Sequence, residues 1–332
     1  ATGGLLRTVD EFGIVLCKDF GSVLNMNRDA RAAVLAALRE VYDGSWTRHV
    51  GSDGGRTLHW QGKVGLIAGC TPAIDRHNAV MGSMGERFCL LRLPEVDADD
   101  QAHRALAHAG REIAMRAELA GAVSGLFTCP LQESRPLEDE ERKRLISLAT
   151  LVVRCRSAVD RDGYSREIEL IPEPEAPTRL AVVLERLLAG LDSIGTARPD
   201  SWRVVTRAAL DSIPAIRRAV LDQLATYEDE VETSGVAEAL GYPTGTTRRT
   251  LEDLAAHGLI KGHKHGEGTA DTWTLGDWTR DRYQAALTFP ETSEHLLTLP
   301  LRVEEDISGK VPTPSVSWVR QEAHADARGE LH

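Results

Sequence analysis

An isolated aspartate closes the apolar run Gly13-Ile14-Val15-Leu16-Cys17-Lys18-Asp19 near the beginning of the chain. Consecutive apolar residues ending in a carboxylate predict a buried parallel strand whose carboxyl tip presents Asp19 to a ligand. Open α/β folds bind ligands at that end of their strands, and an aspartate there can hold the magnesium ion of a bound nucleoside triphosphate. A second group of candidates stands far along the chain. Thr244, Thr246, Thr247, Arg248 and Arg249 open a helix-like segment, and Lys261, His263, Lys264 and His265 follow it. Hydroxyl and guanidinium donors at that density suit phosphate oxygens and base edges.

Other chemistries lack their residues. No G-x-x-x-x-G-K-[ST] phosphate loop occurs in the 332 residues, although one should precede the Asp19 strand of a nucleotide-hydrolysing domain. Gly51 to Thr57 (GSDGGRT) lacks the lysine and leads into a strand, so it is not such a loop. The chain therefore reads as the C-terminal two-thirds of something longer. The eleven histidines show no H-E-x-x-H spacing, and no serine sits in a G-x-S-x-G elbow. The carboxylate run Glu138 to Glu141 reads as a solvated helix start, favourable at the positive end of the helix dipole.

The elements that must position the first group lie in residues 1–97. After the Asp19 strand, Ala30, Ala33, Val34, Ala37, Leu38 and Val41 fall on one helical face between Asn27 and Tyr42. Asp43-Gly44 ends that helix. Ser45 to Trp60 reads as a hairpin turning at Gly51 to Gly55. Val64 to Cys70 is a second buried strand stopping at Thr71-Pro72, and Phe88 to Leu93 a third short one. A βαβ-type sheet domain with one hairpin insertion fits. Residues 98–195 turn helical, strongest over Glu140 to Val159. Pro172, Pro174 and Pro177 break the pattern before a helix from Thr178 to Leu191, and Gly195 to Pro199 reads as a linker.

The second group belongs to a unit over residues 201–283. Ala215 to Tyr227 is a helix, Ser234 to Leu240 a short one preceded by Thr233 as its cap, and Thr244 to His257 a third after the Gly241-Tyr242-Pro243 break. Gly258 stops it, and Leu259-Ile260-Lys261 starts a hairpin that turns near Gly266-Glu267-Gly268 and returns through Thr272 to Leu275. Helix, short helix, turn, helix and β-wing make a winged helix-turn-helix. Its third helix would present Thr244, Thr246, Thr247, Arg248 and Arg249 to the major groove of double-stranded DNA, with the basic wing residues on the flanking backbone. Six Lys/Arg stand against eight Asp/Glu over residues 232–282, yet the cations cluster where DNA would sit. The alternative is a protein-contact module. Residues 284–332 form a polar, proline-broken tail expected to be partly disordered.

Composition sets outer limits. The formal charge of −11 argues against coating nucleic acid by bulk electrostatics. Five dispersed cysteines without a C-x-x-C pair favour reduced thiols over a disulfide framework or a zinc site. No apolar stretch reaches membrane-spanning length, and a cytoplasmic protein is expected.

The order of motifs in residues 10–95 resembles the second half of an AAA+ P-loop ATPase core. The similarity is to the helicase-like branch with a hairpin before sensor 1, as in minichromosome maintenance helicases and related phage or mobile-element ATPases. The resemblance implies an α/β fold: a partial P-loop parallel sheet core, a helical lid to about Leu191 and the C-terminal winged helix. It implies that Asp19 is the Walker B magnesium ligand, although Phe20 stands where that family places a water-orienting glutamate. Thr71 would be sensor 1. Arg87, in Met84-Gly85-Glu86-Arg87-Phe88, would be the arginine finger in a ring of subunits, with Arg92 the other candidate. Arg179 would be the sensor 2 arginine, with Arg154 its rival, and Arg48 and His49 would line a DNA pore. ATP and magnesium would bind only in a version completed by a phosphate loop.

Two functions follow: the C-terminal portion of an ATP-dependent DNA-handling protein, or a non-enzymatic winged-helix transcription regulator whose α/β region senses a ligand or assembles subunits.

Overall fold

The strand carrying Asp19 forms in the computed structural model, which describes residues 5–51, 55–77, 87–94, 96–128, 130–266 and 270–287. These residues all fall in one compact unit, Ala1–Glu291. Helix α1 (Leu5–Val9) precedes β1 (Phe12–Cys17), which leads through α2 (Phe20–Leu24) and α3 (Arg28–Tyr42) to the hairpin β2 (Ser45–Val50) and β3 (Arg56–Gln61) and then to β4 (Lys63–Ala68). Strands β1 and β4 pair in parallel with Phe12 opposite Lys63 and Cys17 opposite Ala68. The hairpin is therefore inserted between two parallel neighbours; residues 52–54 of its expected turn lie outside the described residues. Asn27 caps α3 by accepting from the Ala30 amide at 2.9 Å, which shields an orphan donor of the first turn.

The strand is not buried on both faces as the apolar run predicts. Among the described residues two strands make this sheet. One face rests on a small core of Phe20, Leu24, Leu35 and Ile74, whereas Phe12, Ile14, Leu16 and Ile67 lie exposed on the other. Nor is Phe88–Leu93 a strand. Two of its amides are taken by side chains: Leu90 donates to the Ser212 hydroxyl at 2.9 Å and Arg92 to the Asp211 carboxylate at 2.8 Å. These two alternate amides, the ones that would face one neighbouring strand, are thereby taken from a ladder. The P-loop sheet core expected from the ATPase resemblance is thus represented by a single parallel strand pair among the described residues, in a mixed α/β fold of small sheets.

The second half is helical and deep. Helices α4 (Ala98–Ala107) and α5 (Glu112–Thr128) lead to α6 (Asp139–Arg156), the hairpin β5 (Asp160–Arg161) and β6 (Ile168–Leu170), α7 (Thr178–Ser193), α8 (Arg198–Asp211) and α9 (Ala215–Ala225). Then come β7 (Val231–Glu232), α10 (Thr233–Leu240), α11 (Thr244–Ala256), β8 (Ile260–His263), β9 (Thr272–Leu275) and α12 (Asp277–Leu287). One apolar core joins Leu148 and Leu151 of α6, Leu184 of α7, Val205 of α8, Leu221 of α9, Leu251 of α11 and Tyr283 of α12.

That core runs straight across Gly195–Pro199, the expected linker. Arg198 pins the segment with bidentate bonds to Glu141 at 2.7 Å and an ion pair to Asp192. The Trp202 indole adds a 3.0 Å bond to Glu141. Arg198 first, with help from Trp202, holds the Glu141 carboxyl down at about 2. Helix α12 extends into the residues expected to open the tail; residues 288–332 lie outside the described ones.

Candidate nucleic-acid interface

Helix α11 is bounded by two glycines in the left-handed region, Gly241 at φ 65° and Gly258 at φ 68°. A side chain with Cβ would strain either turn. Gly241 ends α10, and Pro243 then sets the chain to enter α11 almost at once, the tight connection of a helix-turn-helix. Thr247, Thr250, Leu251 and Leu254 form the buried face of α11. That leaves Thr244, Gly245, Arg248 and Arg249 on the opposite, exposed side, with Thr246 half-buried at the edge.

The expected contact by Thr247 is corrected here. Its side chain is fully buried and its hydroxyl donates to the Pro243 carbonyl at 3.3 Å, because it sits at the helical spacing of the core positions rather than the exposed ones. Thr233 is likewise not the cap of α10 but its first residue. Its hydroxyl accepts from the buried Trp273 indole at 2.8 Å, which ties α10 to the wing.

The wing is a three-stranded antiparallel sheet in the order β7-β9-β8. Its basic residues differ in freedom. Lys264 is exposed without an ion pair among the described residues. Lys261 bonds Asp277 at 2.8 Å, and that ammonium holds the Asp277 carboxyl below its usual range. His263 bonds the Thr274 hydroxyl at 3.0 Å and lies 3.6 Å from Glu230. His265 bonds Glu230 at 2.8 Å. The Thr272 hydroxyl, then His265, draws the Glu230 carboxyl below its usual range. Glu267 and Gly268 of the expected wing turn lie outside the described residues.

The two acidic residues on α11 itself, Glu252 and Asp253, are neutralised. Asp253 is bonded by Arg161 at 2.7 Å and by Arg217 at 2.9 Å, and Glu252 by Arg161 at 2.9 Å. Arg217 is buried and also donates to the carbonyls of Cys155 and Ser157. His257, at the end of α11, bonds the Ala158 carbonyl at 3.2 Å, and burial lowers its pKa. Sequence reasoning missed Arg161 and Arg217. Their partners lie 92 and 36 residues away, and no local pattern marks such pairs.

The residues assigned from the ATPase resemblance do not gather. Asp19 and Thr71 are exposed at the tips of the paired strands β1 and β4. Asp19 caps α2, accepting from the Ser22 amide at 3.3 Å. Arg87 forms an ion pair with Asp43 at 2.9 Å and lies over the Tyr42 ring; Met84 to Glu86 lie outside the described residues. Arg92 forks onto Asp75 at 2.7 and 2.8 Å. Arg179 pairs with Glu175 at 2.8 Å, and Arg154 stacks on Trp278 of α12, 4.5 Å from the ring centre. Arg48 is exposed on the β2–β3 hairpin, where His49 bonds Thr57 at 3.0 Å. Among the described residues no three acidic, histidine or cysteine side chains group as a metal site. As placed, these side chains do not fit a nucleotide–magnesium centre.

With this geometry in place, comparison with known proteins is informative over one stretch. Residues 218–263 match the IclR helix-turn-helix domain. The match begins within α9, contains α10 and α11, and ends with β8. The chain thus carries an IclR-type helix-turn-helix DNA-binding domain. No curated protein and no solved structure matches the chain, and the ATPase resemblance of residues 10–95 gains no support. No helix among the described residues is long and apolar enough to cross a membrane.

Proposed function

We propose that this protein is a transcription regulator that binds double-stranded DNA through α11 and the wing, and that its N-terminal α/β region biases that binding. The observation that carries the proposal is the IclR-type domain at residues 218–263, whose helix α11 turns Thr244, Arg248 and Arg249 outward. The helix enters the major groove by its N-terminal half in this class of motif. Arginines there reach phosphates or guanine edges, and Lys264 follows the flanking backbone.

The regulatory part rests on a chain of bonds. Asp75, just beyond the tip of β4, accepts both Arg92 bonds and the Ala215 amide at 3.2 Å, at the start of α9. Arg92 also holds the Asp211 carbonyl at 2.9 Å. A change at the β4 tip therefore has a direct mechanical path to the first helix of the DNA-binding domain.

The test is binding of a fluorescent duplex across a salt titration, with the parent chain and the Arg248→Ala/Arg249→Ala variant. The parent should bind more weakly as salt rises. The variant should lose affinity by about tenfold or more at low salt and flatten the salt slope by about one unit per lost phosphate contact. Absent binding by the parent, or binding indifferent to the two arginines, would make this domain a protein-contact module.

A further inference from the structure

Arg161 lies outside the matched domain, on the β5–β6 hairpin, yet its guanidinium is spent on the half-buried carboxylates of α11. It bonds Asp253 from two nitrogens at 2.7 and 3.0 Å, Glu252 at 2.9 Å and the Arg249 carbonyl at 3.0 Å. A further bond to the Arg166 carbonyl at 2.7 Å fixes it to its own hairpin. Helical spacing gives these contacts a consequence. Glu252 stands four residues after Arg248, and Asp253 four after Arg249. Oppositely charged side chains at that separation pair on a helix surface. Left alone, the two carboxylates would draw in the two arginines that face DNA, and would themselves repel phosphates.

We propose that Arg161 is a positioning residue for DNA binding: it occupies Glu252 and Asp253, so that Arg248 and Arg249 remain available to phosphates. This inference rests on the reading of α11 as the DNA-contacting helix. Arg217 shares Asp253 from the buried side, so Glu252 is the carboxylate that depends on Arg161 alone among the described residues. Arg248 and Arg249 are exposed without ion pairs among the described residues. The hairpin is not itself the contact, since Asp160, Glu167 and Glu169 are exposed on it and would oppose a phosphate backbone. Its role is to deliver one fork-shaped cation, whose planar geometry serves several acceptors at once.

The experiment uses the full chain, a fluorescent duplex and a salt titration, with folding checked by circular dichroism. Arg161→Gln should weaken binding by about tenfold at low salt and flatten the salt slope by about one unit or more, as Arg248 turns to Glu252. Adding Glu252→Gln to that variant should recover most of the lost affinity, while Glu252→Gln in the parent should change affinity by much less; mere loss of hairpin packing would give the same gain in both backgrounds. Arg161→Lys, which keeps the charge without the fork, should keep the parental slope, and it is the variant to read if Arg161→Gln fails to fold. Parental affinity in Arg161→Gln, failure of Glu252→Gln to rescue it, or equal loss in the Lys and Gln variants overturns the proposal. Sensitivity to Arg248→Ala/Arg249→Ala together with indifference to Arg161 would sink this inference alone. Indifference to both would sink the reading of α11 as well.

Discussion

The two strand tips at Asp19 and Thr71 and the helix face at Arg248 and Arg249 stand on very different foundations. The tips belong to a sheet of two strands, covered on one face and open on the other, where Phe12 is 74% and Leu16 69% exposed. Four buried apolar residues make its core. The helix face stands on a continuous core that reaches from α6 through α9 to α12, in which Leu151, Leu184, Leu221 and Leu251 are entirely inaccessible. Apolar burial is the main favourable term in folding, so stability is concentrated under the DNA-binding surface and thin under the sheet. Regions with few buried contacts open at lower free energy than the core. The sheet is thus the part that opens more easily, and the helical part the more rigid.

The polar groups repeat the contrast. Arg198, Arg217 and Arg161 reach across tens of residues to bury or half-bury their guanidinium groups among carboxylates and carbonyls of the helical region. In the sheet region, Arg87–Asp43 and Arg92–Asp75 also draw guanidinium groups out of solvent, but the pairs on the hairpin itself, His49–Thr57 and Thr47–His59, are exposed. Exposed pairs of this kind contribute a fraction of a kcal/mol, whereas breaking a buried ion pair by removing one partner costs about 3–5 kcal/mol.

Three measurements test this division of the molecule. The largest effect is expected at Leu184→Ala, which empties a fully buried site and should cost about 2–5 kcal/mol in a urea titration. It should shift the transitions reported by α8 and by the wing together, because one core underlies both; separate midpoints would break the comparison. Next comes acid. Arg198 holds Glu141 at about 2, below its ordinary 4.5. Stability from that depressed carboxyl is complete above about pH 4.5 and lost as pH falls toward 2. The loss is on the order of 2–3 kcal/mol, and Arg198→Gln should abolish most of this pH dependence. An unchanged acid profile in that variant would show that other carboxylates dominate. The smallest effect is expected at Leu16→Ala on the open sheet face, under about 0.5 kcal/mol by the same titration. A cost above 2 kcal/mol there would mean that the face is covered in solution and would overturn the contrast.

Much of this was legible in residue order. The helix from Asn27, the inserted hairpin, the parallel strand pair and the sequence of α9, α10, α11 and wing all follow from periodicity and turn residues. The candidate interface was legible in part. Arg248, Arg249 and Lys264 face outward as their spacing predicts, but Thr247 belongs to the buried stripe, and Lys261, His263 and His265 share their charge or hydrogen bonds with Asp277, Thr274 and Glu230. The strand expected at Phe88–Leu93 failed because two of its amides found side chains on α8 and just beyond it.

Local order determined the hairpins, the paired strands and the helices of the DNA-binding domain, and which end of α11 carries its cations, since helical and strand periods are written within a few residues of each position. Tertiary structure alone decided which of those charges stay unspent. Arg161 meets Asp253 from 92 residues away, and Asp75 meets Ala215 from 140. Pairing of that range depends on how helices pack, a property no short stretch of sequence contains.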